Sequence, residues 1–180
     1  MSRNDTNADL SRRATTLLVI ALSVVALDQV TKAVVSSKLL LGESVEVVSG
    51  LLHLTLVRNT GMAFGLLSRS DLPYKSVVMT LLSVGALAAV LYYTMRSDQG
   101  DRLTRFGLAF ILGGALGNIV DRVRFGYVVD FVDAFYGTSH WPAFNVADAS
   151  ICVGVGLLLL DSFRRRESPS SEKEEAEAAT

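Results

Sequence analysis

Cysteine, histidine and charge are all scarce in this chain. Its 180 residues include one cysteine, Cys152, and two histidines, His53 and His140. A single cysteine excludes an intramolecular disulfide and any cysteine-based metal cluster. With two histidines a zinc site would have to recruit carboxylates, so neither a metal nor another cofactor is expected. Charged residues make up 19% of the chain, below the roughly one quarter usual in soluble domains. The formal net charge of −1 says little about partners, because basic and acidic residues are segregated. No nucleic-acid partner is expected. Serine-box (G-x-S-G), zinc-helix (H-E-x-x-H) and G-x-G-D motifs are missing as well.

What is abundant is apolar. Half the residues are hydrophobic and the mean hydropathy is +0.39. Four long runs stand out: residues 14 to about 35, 74 to 95, 103 to 120 and 146 to 163. The second, 22 residues long, would reach about 33 Å as a helix, enough to cross a bilayer. The first has a basic start like a signal peptide but no small-residue cleavage site, and Asp28 and Lys32 follow at once, so it reads as a retained span. Arg3, Arg12 and Arg13 precede the first run, Arg96, Arg102 and Arg105 flank the loop between the second and third, and Arg164 to Arg166 follow the fourth. By the positive-inside rule both termini are then cytoplasmic. The predicted fold is an all-α membrane protein of four transmembrane helices with a small extracytoplasmic β-hairpin or sheet. Residues 1–13 form a cytoplasmic segment, 14–163 the membrane domain with its outer β part near 39–70, and 164–180 an acidic, disordered tail.

In the first outer loop His53 to Arg58 alternates, with Leu52, Leu54 and Leu56 on one face, as a half-buried strand would. Asn59-Thr60-Gly61 reads as a turn, leading into Met62 to Leu67 as the second arm of a hairpin. Arg58 to Gly61 fits equally a plain turn, with Gly61 free to take positive φ, or a loop presenting amides to a polar ligand. Tyr92, Tyr93, Tyr127, Tyr136 and Trp141 suit an interfacial aromatic belt. His140 reads as an exposed loop residue and Cys152 as a residue packed in the bundle.

The topology gathers Asp28, Lys32, Asn118, Asp121 and Asp148 at the outer ends of their helices. Ionisable groups at membrane depth cost about 2.5–3.5 kcal/mol each on insertion scales, so such a gathering marks function. Asp28 and Lys32, four apart, share a helix face and form either a structural ion pair or part of a serine–lysine system. Asn118, Asp121 and Arg122 share a face too, where Asp121 and Arg122 read as a buried ion pair or as catalytic groups. Asn145 suits a helix N-cap with Asp148 in the first turn, and both also suit a shared polar site. Asp130 lies in an apolar stretch without an adjacent counter-ion, and Asp133 follows three residues on. Asp130 and Asp148 are the preferred pair, with Asp133 still open. Two carboxylates in a low-dielectric site share a proton, and together they can activate water against an amide. The alternatives are a proton-coupled transporter, disfavoured by apolar cytoplasmic half-spans, and a structural scaffold, which leaves the carboxylates unexplained.

Five blocks then occur in order: Asp28-Gln29-Val30-Thr31-Lys32, Asn59-Thr60-Gly61-Met62-Ala63-Phe64-Gly65, Gly117-Asn118-Ile119-Val120-Asp121-Arg122, Gly126-Tyr127-Val128-Val129-Asp130-Phe131 and Phe144-Asn145-Val146-Ala147-Asp148. Across about residues 14 to 163 the chain resembles the lipoprotein signal peptidase (signal peptidase II) family of bacterial membrane aspartic peptidases. That resemblance implies Asp130 and Asp148 as the catalytic dyad. It implies supporting roles for Asp28, Lys32, Asn59, Gly61, Asn118, Asp121, Arg122 and Asn145. It also implies a multi-pass protein of the bacterial inner membrane, surrounded by membrane lipids and expected to act as a monomer. Its active site would face outward, and its substrates would be prolipoproteins cleaved just before a diacylglyceryl-modified cysteine.

Overall fold

The computed structural model describes residues 3–61, 81, 84, 85, 88, 92 and 102–178, with backbone alone for 3–10, 12, 13 and 165–178. In chain order these form α1 (Arg3–Lys38), β1 (Ser44–Val48), β2 (Leu52–Asn59), α2 (Arg102–Phe125), β3 (Val128–Tyr136), β4 (Ser139–His140) and α3 (Val146–Ala178). The expected span 74–95, apart from five isolated positions, and the expected hairpin arm Met62–Leu67 lie outside the described residues.

Among the described residues three helices are long and apolar enough to cross a membrane: Ala14–Lys38, Arg102–Phe125 and Val146–Arg164, with mean hydropathies of 1.9, 1.5 and 1.8. Leu18, Leu22, Leu27, Val30 and Val34 of α1 lie more than half exposed on its outer face. In water that stripe would be an adhesive patch, whereas against lipid it is an ordinary exterior. The helices meet through small residues. A Cβ on Gly113 or Gly117 of α2 would come within 2.7 Å of α1, at Ala21 O and Asp28 Oδ2 respectively. Gly107 of α2 and Gly154 of α3 abut each other's backbone in the same way. Backbones can approach this closely only where side chains are absent, which is how membrane helices gain contact without a hydrophobic driving force.

The strands form one antiparallel sheet in the order β1-β2-β3-β4. The predicted strand is present as β2, with two partners among the described residues. It pairs with β1 before it and with β3, far along the chain, through Leu54↔Val132 and Val57↔Asp130. The segment after α2, expected to be a loop, therefore supplies two of the four strands. A register shift between Leu54 and Val57 breaks the predicted alternation, so neighbouring Thr55 and Leu56 are both buried. Leu56, Val129, Phe131 and Val35 form a small core that seats the sheet on the end of α1. Each such side chain contributes about 1.5–3 kcal/mol by burial.

Two helix ends aim the chain at this junction. Gly126, at φ 77°, donates its N–H to Arg122 O (3.0 Å) and turns the end of α2 into β3, a left-handed cap open to glycine. At the start of α3, Asn145 Oδ1 accepts the N–H of Asp148 (2.9 Å), while Asp148 Oδ2 accepts the N–H of Asn145 (3.3 Å). This is a reciprocal capping box, and Asn145 is the N-cap its sequence position suggested.

Candidate active site

The helix ends and the strands β2 and β3 deliver polar side chains to one buried network. Asp28 and Asn145 are fully buried, and Asp121, Asp130 and Lys32 are 1%, 2% and 3% exposed. Groups so far from water persist only with partners. Lys32 Nζ pairs with Asp28 Oδ2 (2.8 Å) on its own helix and with Asp121 Oδ2 (2.9 Å) on α2. It also donates to Asn118 Oδ1 (3.0 Å). Asp28 Oδ1 in turn accepts the N–H of Ala147 in the first turn of α3 (3.0 Å), and Asp121 Oδ2 accepts the N–H of Val129 on β3 (3.0 Å). One lysine and two aspartates thus tie α1, α2, α3 and β3 together. The expected Asp121–Arg122 ion pair does not form. Adjacent helical residues diverge by about 100°, so Asp121 turns into the bundle toward Lys32 while Arg122 lies on a cleft wall.

Asparagines connect this anchor to the two remaining carboxylates. Asn118 Nδ2 donates to Asp148 Oδ1 (2.8 Å). Asn145 Nδ2 donates to Asp130 Oδ1 (2.7 Å), with longer contacts to Asn118 Oδ1 and Val129 O (both 3.2 Å). Asn59 Nδ2 donates to Asp130 Oδ2 (2.8 Å). Asn59 reaches it because β2 and β3 pair Val57 with Asp130, and its own Oδ1 accepts the N–H of Gly61 (2.9 Å), closing an Asx turn. Asn145 therefore serves both carboxylates, Asp130 through its side-chain amide and Asp148 through its backbone. Burial is the main cause that pushes the Asp130 carboxyl up to about 7, and the charge of Asp148 adds to it. The amides of Asn59 and Asn145 and the Lys32 ammonium oppose the shift without cancelling it.

Asp130 and Asp148 open onto one cleft of about 490 Å³, walled by Asn59, Asn118, Arg122 and the segment Trp141–Phe144. Trp141, placed in the aromatic belt by the sequence, lines this cleft. Cys152 is exposed and lines it too, so the packed position expected for it is corrected: it lies four residues, about one helical turn, beyond Asp148. Asp133, left open as an acid candidate, lies instead with His53 and His140. Its carboxylate is 3.0 Å from His140 Nδ1 and 3.7 Å from His53 Nδ1. Three residues along a strand reverse the side-chain face, so Asp130 and Asp133 cannot share a site. His140 is half exposed as expected, but on β4 rather than in a loop. Gln29 adds a contact that no spacing rule predicts. Its amide donates to Asp121 Oδ1 (2.8 Å) and Gly117 O (3.2 Å), and only its place one residue after Asp28 hinted at this.

The chain as a whole has counterparts among known proteins. The lipoprotein signal peptidase of Syntrophotalea carbinolica is 47% identical over 148 residues, covering 82% of this chain and 91% of that protein. That of Geobacter metallireducens is 46% identical over 153 residues, covering 84% and 93%. A bacterial membrane enzyme solved by the in meso method at 2.3 Å superimposes with a TM-score of 0.76 at 33% identity, over 86% of this chain and 92% of that one. The family model described as Signal peptidase (SPase) II matches residues 20–164. The chain belongs to the signal peptidase II family.

Proposed function

We propose that this protein is a membrane aspartic endopeptidase that removes signal peptides from diacylglyceryl-modified prolipoproteins, cutting just before the lipidated cysteine. The observation that carries the reading is the pair of carboxylates, Asp130 and Asp148, held through Asn145 at the wall of one cleft beside apolar spans. In this mechanism Asp130 holds the shared proton at neutral pH. Asp148, in the first turn of α3 where a helix favours an anion, is the ionised member. Asp148 takes a proton from water as the water oxygen bonds to the scissile carbonyl carbon, and Asp130 gives its proton to the carbonyl oxygen. In the second half Asp148 returns its proton to the amide nitrogen, the C–N bond breaks, and Asp130 recovers a proton from a hydroxyl of the intermediate. Atoms and charges balance with water as the sole co-reactant.

The other polar residues have positioning roles. Asn59, Asn118 and Asn145 orient the carboxylates, and Asp28, Lys32 and Asp121 hold the helices that carry them. Gly61 keeps the Asx turn of Asn59, and Arg122 offers a cation to a substrate carbonyl on the cleft wall. With both termini cytoplasmic, as the arginine distribution argues, the cleft faces outward at headgroup depth, where a lipidated cysteine would rest. One chain supplies every residue named here, so a monomer suffices. The transporter reading gains nothing from the geometry. No acidic or basic side chain occupies 14–27, 106–120 or 149–160, which would leave a proton path through these three segments broken across the bilayer.

The direct test offers the purified protein two forms of one precursor, with and without the diacylglyceryl group, and reads product masses. Cleavage just before the cysteine of the lipidated form alone is expected, and it should survive a metal chelator. Cleavage elsewhere, or equal cleavage of both forms, would overturn the substrate assignment.

The pH profile tests the proton assignment. Because protonated Asp130 is required, kcat/KM should fall as pH rises through about 7. Asn59 hydrogen-bonds the ionised form and holds this pKa down, so Asn59→Ala should move the alkaline limb to higher pH. A limb that stays put or moves lower would place the proton elsewhere.

A further inference from the structure

The opposite end of the helix bundle holds a second cavity, of about 260 Å³. Thr16, Leu17 and Ile20 line it from α1, and Arg102, Arg105 and Phe106 from α2. Arg105 precedes Asn118 by 13 positions (118 − 105). At helical rise that is about 20 Å, so the cavity is remote from the aspartates.

Its lining is part cationic and part apolar. Arg102 and Arg105, one turn apart on α2, share it with Leu17, Ile20, Phe106 and Thr16. Arginines at this end of a span satisfy the positive-inside rule and imply no ligand by themselves. An arginine serving that rule alone extends its head to water. Arg105 is only partly exposed, and its Nε is buried with no hydrogen-bond partner. Among the described residues no ion pair engages Arg102 or Arg105, and none of the described lining residues is a carboxylate. Buried donors are nearly always met, so an acceptor from outside the described chain fits here. Arg102 also opens α2, whose first-turn N–H groups bring the positive end of the helix dipole to the same place.

We propose that this cavity binds an anionic phospholipid, with Arg102 and Arg105 holding the phosphate and Leu17, Ile20 and Phe106 packing along the start of an acyl chain. A phosphate suits a pair of guanidiniums through charge-assisted, fork-like hydrogen bonds. The apolar lining selects a lipid over a free anion. On the orientation proposed above, the lipid belongs to the cytoplasmic leaflet. The site does not depend on the roles given to Asp130 and Asp148.

The test uses the full chain in neutral detergent, titrated with phosphatidylglycerol, phosphatidylcholine or inorganic phosphate, with native mass spectrometry reading retained lipid. The wild type should retain one phosphatidylglycerol in preference to phosphatidylcholine by about ten-fold, and inorganic phosphate should not displace it. The variant Arg102→Gln/Arg105→Gln should lose that preference while its cleavage of precursor in lipid-free detergent is unchanged, which separates this site from the aspartates. If the double variant does not fold, Arg105→Gln alone carries the comparison. The proposal is overturned by equal retention of both lipids, by a variant that keeps the wild-type preference, or by displacement with inorganic phosphate.

Discussion

Asp130→Asn and Asp148→Asn are each expected to lower turnover of a lipid-modified precursor by about 10³- to 10⁴-fold, the scale of lost acid–base catalysis. The substitution keeps shape and removes only the ability to exchange a proton, so binding should suffer less than turnover. Position 130 is the more demanding. Asn59 and Asn145 both donate to its oxygens, and an amide there would turn one NH₂ group against a donor. Some destabilisation of Asp130→Asn is therefore expected alongside the catalytic loss. Both oxygens of Asp148 also accept, from Asn118 and from the N–H of Asn145, but the second contact is long (3.3 Å) and the residue only half-buried, so Asp148→Asn should be closer to a pure chemical knockout. Turnover in detergent and melting of the same preparations separate the effects. A folded variant at either position with near wild-type turnover would remove that aspartate from the mechanism.

Lys32→Met should have the largest effect on stability, about 3–5 kcal/mol, the usual result of removing one partner from a buried ion pair. Asp28 and Asp121 would face each other without a cation, both essentially sealed from water. The damage should also reach the site. Lys32 donates to Asn118 Oδ1, and Asn118 holds Asp148, so turnover should fall even in the folded fraction. Because the harm comes from unpaired carboxylates rather than from lost volume, Asp28→Asn and Asp121→Asn added to Lys32→Met should restore much of the melting temperature without restoring activity. A single Lys32→Met variant that melts like the wild type would show that the lysine does not hold the bundle.

These expectations depend on contacts of very different range. Asp28 and Lys32 lie four apart on one helix, and their pairing is legible from spacing because the helical period is local and fixed. The same holds for the Asn145–Asp148 capping box, the apolar spans and strand β2. Resemblance to a family singled out Asp130 and Asp148, where local reasoning alone left Asp133 open.

Spacing could not say which distant groups meet. Asp28 accepts an N–H from Ala147, 119 positions away, and Asn59 reaches Asp130 across 71. Pairing over such distances depends on strand register and helix packing, which no short window of residues encodes. Register placed Asn59 beside Asp130 and turned Asp133 toward the histidines, and a bulge buried Thr55 with Leu56. Glycine contacts brought α1 close enough for Lys32 to take Asp121, which local spacing had assigned to Arg122. The chain by itself determined the apolar helices α1, α2 and α3, its helix cap and its stock of carboxylates, because these follow from composition and period. Only the tertiary structure decided which carboxylates share a cleft and which share a lysine, because that is settled by the packing of segments far apart in sequence.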